Sequence, residues 1–281
     1  MAALFVINAA GEKEPFSYKK VYRSARRVGA SGQVAQKISD TIAKEAYAGI
    51  KTYDLFKRIK ELLNKEVPQA ALRFSLKEAM RKLGPTGFPF EKYVAEILKS
   101  LGYQTKINQY LPGRCLSNYE IDFVAEKDKI VYVGECKYRN ILGERVHTPH
   151  ALANYARFLD ILNGKYFKSS HYRGYKIKTM MVTNTKFTTS TMDYAPCVGV
   201  DLLGWNYPKN RGLEYIIDRE KLYPVTILPA LRGYLQNIFI QEKIMLAKDV
   251  LKIDSQRFAP KFRIPVSQIE SLMEQAKTLL Q

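Results

Sequence analysis

Two strand-like runs stand out, 120–126 (EIDFVAE), which alternates apolar and polar residues, and 129–138 (KIVYVGECKY), which is largely apolar, and they predict neighbouring β-strands. Strand side chains alternate between faces, so Val131, Val133, Glu135 and Lys137 share one face, and Ile130, Tyr132, Gly134 and Cys136 the other. Glu120, Asp122 and Val124 share a face of the preceding strand. A two-residue turn at Lys127-Asp128 sets Ala125 opposite Ile130, Asp122 opposite Val133 and Glu120 opposite Glu135. Opposed residues share a face, which gathers Asp122, Glu135 and Lys137 at about 5–8 Å between Cβ atoms. A three-residue turn instead puts the acids on opposite faces.

Helical periods occupy much of the rest. Ser17 is a plausible N-cap and Gly29 a plausible stop for a first helix, which carries Lys19, Arg23, Arg26 and Arg27 at i, i+4, i+7 and i+8 on one face. A strand over 3–8 and a turn at Gly11 precede it; helices over 33–47, 53–66 and 69–82 follow. After the helix-breaking 84–87 (GPTG), Val94, Ile97, Leu98 and Leu101 form an apolar face closed by Gly102. Further along come a helix near 148–163, strands near 176–183 and 198–204, and two amphipathic helical segments in 240–281. Alternating strands and helices predict an α/β domain with a mixed central sheet flanked by helices, behind a mostly helical N-terminal domain. The expected organisation is 1–84, 85–235 and a helical C-terminal extension, 236–281.

Composition changes this picture through charge. The 281 residues include 45 Lys+Arg and 27 Asp+Glu, a net +18. Residues 1–84 hold 17 and 8 of these, +9, and the much longer 85–281 holds 28 and 19, again +9. Such an excess favours polyanionic partners, above all nucleic acid. Cys115, Cys136 and Cys197 form no CxxC, which predicts a reducing, cytoplasmic setting without a disulfide framework. No run approaches the roughly 20 apolar residues of a membrane span. The opening MAALFVINAAGEKE lacks a cationic n-region and reads as a strand, not a signal peptide.

The acids and the lysine carry the candidate chemistry. Two carboxylates at that separation repel unless a cation neutralises them, and Mg²⁺ suits one or two carboxylates completed by water and a substrate phosphate. A neighbouring lysine can position the attacking water and stabilise charge on the phosphate. This is the chemistry of metal-assisted phosphodiester hydrolysis. Against it stands an edge-strand ion pair of little consequence. Glu135-Cys136-Lys137 is the chain's only acid-x-Lys triplet, and it ends the most apolar strand candidate.

These residues, within 84–103 (GPTGFPFEKYVAEILKSLGY) and 120–140 (EIDFVAEKDKIVYVGECKYRN), resemble the Mrr-like branch of the PD-(D/E)xK restriction endonuclease superfamily over roughly 85–205. The resemblance implies that Asp122 and Glu135 bind Mg²⁺ or Mn²⁺, that Lys137 is the catalytic lysine, and that Glu91 assists the metal. Near the N-terminus, FVINAAGEKEPFSYKKVYRSARRVGAS and then YDLFKRIKELL resemble the ATP-cone, the nucleotide-sensing module of ribonucleotide reductases. The family's Lys-Arg pair before the turn glycine is here Asn8-Ala9, followed by Ala10-Gly11. Lys19, Lys20 and Arg23 remain as candidate phosphate contacts for ATP or dATP.

Between 161 and 192, Lys165, Lys168, Arg173, Lys176, Lys178 and Lys186 are interleaved with Tyr166, Phe167, Tyr172 and Tyr175, a composition suited to DNA. His147 and His150 lack the cysteine pair a zinc site would add. By the superfamily resemblance, His150 or Arg157 is a candidate contact to the scissile phosphate. Thr183, Asn184 and Thr185 lie at a strand end, where ligand crevices and turns both occur. The reading is a metal-dependent deoxyribonuclease acting on double-stranded DNA, with a nucleotide effector and a homodimer as candidate partners for regulation and paired cuts. The competing reading is a non-catalytic, nucleotide-responsive DNA-binding module, and RNA remains open as a substrate.

Overall fold

The computed structural model describes residues 4–83, 88–141 and 143–281. The chain forms two compact units, Met80–Leu222 and a discontinuous one built from Met1–Ala79 with Tyr223–Gln281. The expected boundary motif, 84–87, lies outside the described residues. The second division falls at Leu222 and not at 235, because the C-terminal helices pack on N-terminal ones within the discontinuous unit.

That unit begins with β1 (Phe5–Ile7), β2 (Lys13–Pro15), α1 (Tyr18–Arg27), α2 (Gly32–Glu45), β3 (Ile50–Lys51), α3 (Thr52–Glu66), α4 (Pro68–Phe74) and α5 (Leu76–Arg81), the last crossing the division. β1 pairs antiparallel with β2 and parallel with β3. Ser17 caps α1, its hydroxyl accepting from Lys20 N–H at 3.2 Å, and Gly29 at φ 103° ends it. Lys19, Arg23, Arg26 and Arg27 are all exposed. The helix expected over 69–82 is broken at Ser75, whose hydroxyl donates back to the Ala71 carbonyl at 3.0 Å. Ala25, Ala35, Ile38, Ile42, Leu63 and Ala70 form the centre of its core.

The second unit holds α6 (Phe88–Ser100), β4 (Gln104–Leu111), β5 (Tyr119–Lys127), β6 (Ile130–Lys137), β7 (Arg145–Val146), α7 (Thr148–Asn163), β8 (Lys176–Thr183), β9 (Lys186–Phe187), α8 (Thr189–Cys197), β10 (Val200–Leu203) and α9 (Leu213–Arg219). Its five-stranded sheet has the order β10-β8-β6-β5-β4. β10, β8 and β6 run parallel, and β5 and β4 are antiparallel additions, so the sheet is mixed. Val131, Val133, Phe158 and Ile161 bury one face under α7. Buried Asn154 on α7 donates to the Thr179 hydroxyl at 2.9 Å, and Thr179 donates on to the Val133 carbonyl at 2.9 Å, tying the helix to two central strands.

Returning to the first unit, the chain ends in α10 (Tyr234–Gln241), α11 (Ala247–Val250), α12 (Ser255–Lys261) and α13 (Val266–Leu280). α13 buries Ile269, Leu272, Ala276 and Leu279 and packs on α4, where Arg73 Nη2 donates to the Leu279 carbonyl at 3.3 Å. Among the described residues no helix is long and apolar enough to cross a membrane.

Candidate functional site

The β5–β6 turn sits one residue later than expected, at Asp128-Lys129. Both have positive φ, 50° and 58°, the backbone of a two-residue type I′ turn that matches strand twist. Pairing runs from Lys127↔Ile130 to Phe123↔Gly134. One step further sets Asp122 across from Glu135, not from Val133. Moving the turn by one residue changes each pairing by two positions, so the face assignment survives. Gly134 is required here: a Cβ at this position would overlap the Phe123 ring, which lies directly over it.

Asp122 Oδ2 accepts from Cys136 N–H at 2.6 Å. Glu135 is buried. One of its oxygens meets Lys137 Nζ at 2.5 Å and the other meets Arg157 Nη2 from α7. Arg157 Nη1 also donates to the Glu120 carbonyl at 3.3 Å. Glu91, in the first turn of α6, belongs to the same electrostatic cluster. Burial, then the charges of Asp122, Glu120 and Glu135, push its carboxyl up to about 7. Burial and Glu135 push Asp122 up to about 6. The structure therefore brings Asp122, Glu135, Lys137 and Glu91 together.

The residues fit a hard divalent cation. Burial and the mutual repulsion of these carboxylates make their ionised forms costly, which a bound cation would relieve, and Asp122 and Glu135 supply oxygen donors from adjacent strands. No three His, Cys, Asp or Glu side chains form a closed metal cage among the described residues. Two carboxylates are nonetheless the usual protein share of a Mg²⁺ site completed by water and phosphate.

Around this centre, the strand-end residues act as staples. Thr183 Oγ1 donates to the Lys137 carbonyl at 2.6 Å. Asn184 brackets Arg139, accepting from its N–H at 2.8 Å and donating to its carbonyl at 2.7 Å. Thr185 Oγ1 donates to the Glu144 carbonyl at 2.5 Å. His150 is held toward the neutral form by burial and by Lys137 and Arg139, and its Nε2 meets Arg139 Nη2 at 2.9 Å. The engagement of Arg157 with Glu135 was not legible in sequence, since it joins a helix and a strand 22 positions apart.

The basic segment is placed elsewhere. Lys165, Lys168 and Arg173 lie between α7 and β8, and Lys176 starts β8 opposite Ile130, at the turn end of the hairpin. Seven residues of strand, roughly 23 Å, separate Lys176 from Thr183, the partner of Lys137. Lys178 forms an ion pair with Asp201 and meets the Tyr132 hydroxyl at 3.2 Å. Phe167 is buried, and Tyr166, Tyr172 and Tyr175 pack with it, with centroids 4.9 Å apart for Phe167–Tyr172 and 5.8 Å for Tyr172–Tyr175. Phe167 belongs to the core, and the three tyrosines are half-buried against it.

In the other unit, Lys19 and Arg23 are exposed and Lys20 Nζ meets Glu14 at 3.3 Å. Lys20 and Glu14 border a cavity of about 170 Å³ lined also by Thr52, Phe56 and Phe74. The turn before Gly11 is held by Asn8, whose Oδ1 accepts from Ala10 and Glu12 N–H and whose Nδ2 donates to the Glu12 and Glu14 carboxylates. Two carboxylates at this turn oppose a phosphate there.

Comparison with known proteins adds kinship. A family model described as AF1548-like, C-terminal, matches residues 223–280, the second segment of the discontinuous unit. A protein of Archaeoglobus fulgidus, described only as uncharacterized, is 34% identical over 166 residues, covering 58% of this chain and 87% of its own length. A crystal structure described as a protein of unknown function, AF1548, is 29% identical with a TM-score of 0.58, over 69% of this chain and 98% of that one.

Proposed function

The chain belongs to the AF1548-like family, and from the geometry of its central hairpin we propose that it is a metal-dependent endodeoxyribonuclease with a PD-(D/E)xK, Mrr-like catalytic unit. The observation that carries the reading is the placement of Asp122 and Glu135 across one hairpin, with Lys137 two residues beyond on the same face. In this reading Asp122 and Glu135 hold Mg²⁺ or Mn²⁺, with Glu91 alongside. The ion supplies Lewis-acid polarisation of the phosphate. Lys137, its ammonium anchored on Glu135, orients the attacking water and offsets charge that develops on the phosphate oxygens. The +18 charge supports double-stranded DNA as the partner, and paired cuts would call for a homodimer.

The N-terminal part is assigned by the same proposal as an ATP-cone-like module that regulates cleavage or helps bind DNA. In this reading Lys19, Lys20 and Arg23 are the candidate phosphate contacts for ATP or dATP; the small cavity beside Lys20 is lined by Glu14 and by neither Lys19 nor Arg23, and the acid-lined turn weighs against phosphate at Asn8. Calorimetric titration of the whole chain with each nucleotide tests it; absence of heat and of a thermal shift leaves the module a scaffold.

The nuclease test is incubation with supercoiled plasmid and Mg²⁺ or Mn²⁺, beside an EDTA control and Lys137→Ala. Nicking or linearisation by the unmodified protein alone supports the assignment. Plasmid that is shifted on a gel and never cut favours the non-catalytic, nucleotide-responsive DNA-binding module instead.

A further inference from the structure

We propose that Arg157 is an exchangeable latch on the metal site, holding Glu135 until a nucleic-acid phosphate takes its guanidinium away. The inference rests on the nuclease reading and adds to it an order of assembly.

Both oxygens of Glu135 are engaged, one by Lys137 and one by Arg157. A divalent ion approaching Glu135 must therefore displace a cation, and it meets repulsion from two. Lys137 is tethered two residues away on the same strand. Arg157 is the group that can leave. It comes from a different element, its side chain is 24% exposed, and its other anchor is a single long bond to the Glu120 carbonyl. The helix that carries it is fixed one turn earlier by Asn154 on Thr179, so release needs only rotation of the arginine side chain. A guanidinium fork fits a phosphate as well as a carboxylate. Phosphate binding to Arg157 frees an oxygen of Glu135, and cation binding at Glu135 frees Arg157. The two ligands then favour each other, by equal factors in each direction. Arg157 is in this sense a positioning residue, acting on the metal through Glu135.

The test is titration of the full chain with Mn²⁺, read by electron paramagnetic resonance, with and without a short DNA duplex. It compares the unmodified protein with Arg157→Gln and Arg157→Lys, with Glu135→Gln and duplex alone as baselines. Without DNA, Arg157→Gln should bind Mn²⁺ roughly tenfold tighter, the loss of about one charge-pair interaction. Arg157→Lys, which keeps the charge, should stay near the unmodified protein. The duplex should tighten Mn²⁺ binding to the unmodified protein by a larger factor than to Arg157→Gln. Equal or weaker Mn²⁺ binding by Arg157→Gln, with Glu135→Gln still abolishing it, overturns the latch and leaves the nuclease reading standing. No Mn²⁺ binding above the Glu135→Gln baseline in any protein, with or without duplex, removes the metal site and the latch with it.

Discussion

Asp122 reaches across the hairpin to accept a 2.6 Å hydrogen bond from the backbone N–H of Cys136, the residue between Glu135 and Lys137. This one contact joins the two strands where the acids meet. The bond favours the ionised form of Asp122 and so draws its pKa down, but burial and the neighbouring Glu135 charge outweigh it and hold the carboxyl up at about 6.

A pH dependence follows for the metal-free protein. Glu91 and Asp122 titrate at about 7 and about 6 in the folded chain, above the ordinary carboxyl range. The folded state thus binds protons more tightly than the unfolded one. The resulting stabilisation is complete below about pH 4 and is lost as pH rises through about 6 and 7. Glu91→Gln should raise stability at pH 8 by about 1 kcal/mol, after allowance for solvent screening at this half-buried site, and change little at pH 4. Thermal melts in EDTA at both values check it; an equal change at both pH values refutes the charge origin.

Gly134→Ala should destabilise the protein by about 1–3 kcal/mol through overpacking against Phe123. Phe123→Leu should recover part of that loss in the double variant. Denaturant titrations of the four proteins yield the coupling directly, and additive losses count against the ring contact.

Much of this hairpin was legible in the sequence, and so were α7 and β8, whose ends are marked by Pro149, Gly164 and a break in alternation. β4 escaped notice because its solvent-facing sequence, QTKINQYL, lacks the apolar content of a central strand. The basic run 165–178 was visible as composition, but which end of the sheet it occupies is set by topology: β8 runs parallel to β6 and so begins far from Lys137. The discontinuous unit was hidden for a similar reason. Nothing local in α13 announces that its buried face meets α4, some 200 positions earlier.

Lys178→Ala should leave the salt dependence of DNA binding unchanged, because its charge is already committed to Asp201. A phosphate contact would instead reduce the slope of log K against log salt by about 1. Fluorescence anisotropy at several salt concentrations separates the two.

Asn154→Ala should cost about 1–3 kcal/mol, since it removes a buried amide and the tie from α7 to Thr179. Arg157 sits one turn along the same helix. DNA cleavage should therefore fall more steeply than the fraction of folded protein; proportional losses would show that the tie serves stability alone.

The two-residue turn at Asp128-Lys129 also restricts how this hairpin can diverge among relatives. Strand faces alternate with every residue, so a single insertion or deletion between Asp122 and Glu135 would turn one acid away from the other. Lengths that differ by two keep both on the same side. Indels in this stretch should therefore come in even steps wherever the pair of acids is retained, and an odd step should coincide with loss of one of them.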